Sequence, residues 1–133
     1  MSASWEVQET LVEVLENDSE LLELVSGIYD TPPANYEEPY IAVGDDLELP
    51  DNTLSNEGYI VYATFHIHTK PGRLGFRPAK KIKERMNELL NHARLTMGDN
   101  YAMVMCYFDN AITERDKDKR IISVRYRVVT HKK

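Results

Sequence analysis

The chain has 133 residues, 42% of them hydrophobic and 29% charged, which suits one domain around a single core and argues against disorder. No stretch approaches the roughly 18 consecutive apolar residues that cross a bilayer, the start Met1–Glu6 has no basic segment leading into an apolar run, and Cys106 is the only cysteine; the expectation is no membrane, no secretory signal, no intrachain disulfide and synthesis in a reducing cytoplasm. The formal net charge of −6 conceals a division, for residues 1–60 hold 15 acids and no Lys or Arg, whereas residues 61–133 hold 7 acids and 16 bases.

The first helix is expected from about Ser4 to Glu16, with Trp5, Leu11, Val12 and Leu15 on one face and Glu6, Glu9, Glu13 and Glu16 mostly elsewhere. Asn17 and Glu20 have the spacing of a capping pair for a short second helix over Ser19–Val25, which Gly27 ends. From Tyr29 to Pro39 the chain reads as an irregular loop, since Thr31-Pro32-Pro33 excludes helix. Tyr40–Gly44 is an apolar run that reads as the first strand, and Leu49–Gly58 has loop composition.

Tyr59–Thr69 is a strong strand: Tyr59, Val61, Ala63, Phe65 and Ile67 alternate with Ile60, Tyr62, Thr64, His66 and His68, the first set facing the core. A third helix follows from Arg77 or Pro78 to Ala93. Ala79, Ile82, Met86, Leu89, Leu90 and Ala93 form its apolar stripe, Lys80, Lys81, Lys83, Arg85 and Glu88 fall largely outside it, and Pro78 suits the first turn. Tyr101–Phe108, with pairing that can run on to Ile112, and Ile121–Thr130 are the last two strands, joined by the charged turn Arg115–Arg120 into a hairpin. The simplest assembly is α+β: a four-stranded, mainly antiparallel sheet with helices packed on one face. Tyr62, His66, His68, Arg125 and Arg127 would lie on the other face, either solvated or against a partner.

Catalytic chemistry finds little support. Gly72-Arg73-Leu74-Gly75 lacks the spacing of a phosphate loop, and Cys106 sits inside an apolar strand pattern as a buried thiol. His66 and His68 share one side of a strand, which can start a metal site, but no pattern supplies a third ligand, so they read as surface or interface histidines. The four cations between Lys80 and Arg85 can bind phosphates, yet a pI of about 5.2 and an acidic first half oppose a DNA-binding role. The charge division itself has two readings: opposite faces that orient partners, or an acidic and a basic helix paired within the monomer.

The order of these features resembles a known family. An N-terminal helix, Ile28-Tyr29-Asp30 with Pro32-Pro33, Pro39-Tyr40-Ile41-Ala42-Val43-Gly44, the alternating Tyr59–His68 strand, a helix through Ala79–Met86 and a closing Arg125-Tyr126-Arg127 strand are similar to the tail-completion, or tail-to-head joining, proteins of siphophages. The resemblance implies a structural virion protein without catalytic residues or cofactor. It implies a homo-oligomeric ring, six-fold, at the head-proximal end of the tail, meeting the tail tube protein and the head-completion protein of the connector. It implies no sequence-specific nucleic-acid binding, though DNA passes through such a ring. The competing functions are a metal- or ligand-binding module on the His66/His68 face and a DNA-binding accessory protein. The residues expected to meet partners are Lys80, Lys81, Lys83 and Arg85, which cluster on one exposed stretch, and the loop residues Asp51, Asn52, Thr53, Leu54, Ser55 and Asn56, expected to be mobile in the free chain and ordered on joining.

Overall fold

The structure, a computed structural model, describes residues 2–31, 37–53 and 55–133. Its elements run α1 (Ala3–Glu16), α2 (Ser19–Leu24), β1 (Ile28–Tyr29), β2 (Tyr40–Pro50), β3 (Gly58–Thr69), α3 (Arg77–Leu90), β4 (Tyr101–Asp116) and β5 (Lys119–Lys132). The strands form one five-stranded sheet in the order β1-β2-β3-β5-β4. All neighbours are antiparallel except β1 and β2.

The sheet is therefore mixed, with one strand more than the sequence predicts. β1 is two residues long, too short to show alternation, and it is seated by backbone bonds from Ser26 N to Pro39 O (2.8 Å) and from Ile41 N to Gly27 O (3.1 Å). Gly27 is thus a link into β1 rather than a helix terminator, and α2 ends in the extended residue Val25. Of the predicted Tyr29–Pro39 loop, Pro32 and Pro33 lie outside the described residues.

The central alternation holds. Val61, Ala63, Phe65 and Ile67 of β3 are buried beside Ile122, Val124, Tyr126 and Val128 of β5, and the two strands pair in continuous register from Gly58↔His131 to Thr69↔Arg120. Gly58 begins β3 where a side chain would strike the carbonyl oxygen of Thr130, so this position accepts only glycine without movement. Both outer partners run longer than expected, and both carry register shifts: between Val43 and Asp46 in β2, and between Met103/Met105 and Phe108/Asn110 in β4. Each shift changes the phase of the inside–outside pattern, which hides the continuing strand from a period-2 reading.

α1 packs on β1, β2 and β3, and α3 packs on β3, β5 and β4. Ser2 caps α1 by accepting from Trp5 N at 3.2 Å. The buried side of α1 is Ala3, Glu6, Val7, Thr10, Leu11 and Leu15. Trp5 is 43% exposed and Val12 only partly buried, so the predicted face is rotated. Glu6 takes the inner place because its carboxylate is satisfied there: it accepts from Asn100 Nδ2 at 3.0 Å and from Tyr101 N at 3.3 Å. α3 ends at Leu90, and Ala93 instead bridges Cys106 of β4. Before α3 the chain turns through Gly75, whose φ of +61 falls in the left-handed region that favours glycine.

Asp18, one residue beyond the expected Asn17, caps α2 by accepting from Leu21 N at 2.9 Å. The same carboxylate accepts two bonds from Arg85 of α3, at 2.8 and 2.7 Å, and so ties the two helices together. The Arg85 bond holds the Asp18 carboxyl below its ordinary range. Folding therefore favours ionised Asp18. Its stabilising contribution is complete above the unfolded carboxylate pKa, about 3.9, and is lost as pH falls through the lower folded value. Asp18→Asn is expected to lower the urea midpoint at pH 7, with the gap from the wild type closing as pH drops below about 4. A gap as wide at pH 2 as at pH 7 would contradict this linkage.

Candidate interaction surfaces

Cys106 and the histidine pair sit in different surroundings. Cys106 is fully buried, and burial pushes its thiol up to about 12, leaving it protonated and inert at neutral pH. His66 Nδ1 lies 2.7 Å from Ser123 Oγ. His68 is stacked on Tyr40 with centroids 4.6 Å apart and planes 7° from parallel. Burial, then the charges of Lys119 and His66, lower the His68 pKa and favour the neutral ring. Among the described residues no group of three or more His, Cys, Asp or Glu side chains is placed to hold a metal ion.

The face of the sheet away from the helices carries Tyr62, His66, His68, Arg125 and Arg127, as the alternation predicts, and none of them is fully exposed. Its cations are drawn onto its aromatics. The Arg125 guanidinium lies 4.2 Å from the Tyr62 ring centroid, and that of Arg127 6.0 Å from Tyr107.

The expected partner-binding cations separate into two kinds. Arg85 is committed internally, hydrogen-bonded to Asp18 and paired with Glu88 at 2.6 Å and Glu20 at 3.3 Å. Lys80 and Lys81 are exposed, Lys83 is half-buried, and among the described residues none of the three forms an ion pair. The reading of an acidic and a basic helix paired within the monomer thus holds for Arg85 and, among the described residues, not for Lys80, Lys81 or Lys83.

Asp51, Asn52, Thr53 and Asn56 link the facing ends of β2 and β3. Asp51 N donates to Gly58 O at 2.9 Å, Asn52 Oδ1 accepts from Gly58 N at 3.3 Å, and Thr53 N donates to Asn56 O at 2.7 Å. Asn56 Nδ2 reaches His131 Nδ1 at 3.1 Å. Ser55 is exposed, and Leu54 lies outside the described residues.

Two grooves were not foreseen. One, about 360 Å³, lies between α1 and the β1–β2 edge, with Val12, Ile28 and Val43 as its apolar lining and Trp5, Glu9, Glu13, Glu16 and Asp30 around it. Its signal in the sequence is the mixed stripe Trp5, Glu9, Val12, Glu16, spaced i, i+4, i+7, i+11 along one side of α1. The other, about 590 Å³, lies on the β4 side of α3 and is formed by Phe76, Arg77, Lys80, Lys81, Glu84 and Arg115. There the Arg115 guanidinium sits 5.3 Å from the Phe76 ring centroid.

The fold is that of a small α+β domain with a packed core and its charge gathered in exposed surface grooves. Residues 9–131 match the family model described as tail completion protein gp17, and the chain belongs to that family. It is 28% identical over 129 residues to the tail completion protein gp17 of Bacillus phage SPP1, across 95% of this chain and 94% of that protein. The fold matches a chain from the virion of a native gene transfer agent particle with a TM-score of 0.85 at 22% identity, covering 98% of this chain and 99% of that one. It also matches the bacteriophage SPP1 gp17 protein with a TM-score of 0.57 at 26% identity, covering 93% and 89%. The chain is a structural component of the virion tail.

Proposed function

We propose that this chain completes the head-proximal end of a long phage tail and joins it to the head connector, acting without catalysis and as a six-membered ring. The observation that carries this reading is the family match over residues 9–131. Surface charge supports it physically. A ring needs two unlike patches on each copy, and unlike charge disfavours like-to-like contacts. The lysines of α3 suit such a role better than a role inside the monomer, because among the described residues Arg85 is the α3 cation that pairs with α2. The tail tube protein meets one side of the ring and the head-completion protein the other, with DNA passing through the middle.

The test is complementation. Tails made without this chain are expected to remain unjoined to filled heads, and added wild-type protein to restore infectious particles. Lys80→Glu with Lys83→Glu is expected to keep the far-UV spectrum and lower the yield about tenfold or more. Each exposed pair contributes only about 0–1 kcal/mol, but the change repeats in every copy. Full joining by the folded double variant would remove this part of α3 from the essential contacts. Heads joining tails in the absence of the protein would overturn the function itself.

A further inference from the structure

The two unforeseen grooves lie over opposite edges of the sheet. α1 covers the β1–β2 side, and its groove carries Glu9, Glu13, Glu16 and Asp30, all exposed. α3 covers the β5–β4 side, and its groove carries Arg77, Lys80, Lys81 and Arg115, all exposed, with Glu84 as its one acid. Among the described residues none of these charged side chains forms an ion pair. Both helices lie on one face of the sheet, and the strand order sets the two grooves toward its opposite edges, so the two sets are held apart within one copy.

We infer that the acidic groove beside α1 receives the basic patch around Phe76 of a second copy. This deepens the ring reading and rests on it. Four acids bordering an apolar cleft meet four cations grouped about an aromatic ring. The acidic groove repels its own kind, as does the basic one, so the contact pairs unlike faces. Because the two faces occupy opposite edges, one copy can engage a neighbour on each side at once. That is the condition for a heterologous contact to propagate and close.

Trp5 supplies the apolar part. It stands 43% exposed at the acidic groove, where an aromatic ring left in water is costly and one facing guanidinium or ammonium groups is stabilised. Covered by the neighbour, it becomes a central anchor of the kind that dominates interfaces, while the charges set orientation and encounter rate. Phe76 is half-buried under Arg115 and lies at the centre of the opposing patch. The contact is strongest at low salt, since most of its charges are exposed.

The experiment uses the full chain and purified tails that lack it. Trp5 is the only tryptophan of this chain, so the change in emission relative to the tails alone reports on this groove. Wild-type protein is expected to bind in several copies per tail end, with a blue shift of Trp5 emission. Glu9→Lys with Glu13→Lys, and separately Lys80→Glu with Lys81→Glu, are each expected to fold, by circular dichroism, yet to lose multiple occupancy and the blue shift. An equal mixture of the two variants is expected to regain both, because alternating copies present opposite charges at every contact. Multiple occupancy by either variant alone, or failure of the mixture, would overturn the pairing while leaving the ring reading standing. A single wild-type copy per tail end would overturn the ring reading and the pairing with it.

Discussion

Tyr126→Ala is expected to destabilise the domain by about 3–5 kcal/mol, the range for removing a large aromatic from a core. Tyr126 is 0% exposed in β5, which lies between β3 and β4. Its ring meets Phe65 edge-on at 6.4 Å and Phe108 at 6.2 Å, so truncation opens a cavity between three strands. Its hydroxyl donates to Asn87 Oδ1 of α3 at 2.6 Å, and burial raises the phenol pKa well above its ordinary value, keeping that proton in place. Tyr126→Phe keeps the volume and loses only the bond, leaving the Asn87 oxygen without its donor at a cost of about 1–3 kcal/mol. A domain of this size has about 5–15 kcal/mol in total, so the alanine variant is expected to show a much lower urea midpoint, with the phenylalanine variant between it and the wild type. A wild-type midpoint for Tyr126→Ala would show that the α3–sheet interface does not depend on this ring.

What could be read from the sequence followed from local repetition. β3 and β5 alternate without interruption and are buried on both sides by neighbouring strands, so period 2 survives intact in Tyr59–Thr69 and Ile121–Thr130. The α3 stripe was equally legible because Ala79, Ile82, Met86 and Leu90 repeat at helical spacing. The misplacements share one cause, a partner distant in sequence. Glu6 looks like a solvated acid until Asn100 and Tyr101, more than ninety residues on, bring donors to its carboxylate. Trp5 looks like core until that burial fixes the rotation of α1 and leaves its ring outside. β1 has no pattern to find, and β2 and β4 lose theirs at register shifts. The cation cluster at 80–85 was visible as a cluster, but its division into Arg85, spent on Asp18, and unpaired lysines depends on where α2 packs. The opposition of an acidic and a basic groove needs the strand order, which no local pattern encodes.

Within α3 the two alanine substitutions Met86→Ala and Leu89→Ala are expected to separate. Helical spacing alone assigns Ile82, Met86, Leu89 and Leu90 equal parts in anchoring the helix. In the structure Ile82, Met86 and Leu90 are at most 1% exposed. Leu89 is only partly buried and lines a shallow depression of about 390 Å³ with Thr10, Val14 and Leu95 between α1 and the turn after α3. Met86→Ala removes buried volume over the sheet and is expected to cost about 2–5 kcal/mol. Leu89→Ala opens an already open depression to water and is expected to cost about 1–1.5 kcal/mol, roughly half of a full burial. Urea denaturation with m-values held common to both variants measures the difference. The sign of that difference is diagnostic, because successive helical residues are about 100° apart. A loss at Leu89 equal to or greater than that at Met86 would mean that α3 is turned toward α1, which would also move Lys80 and Lys81 away from the β4 edge and dissolve the basic groove.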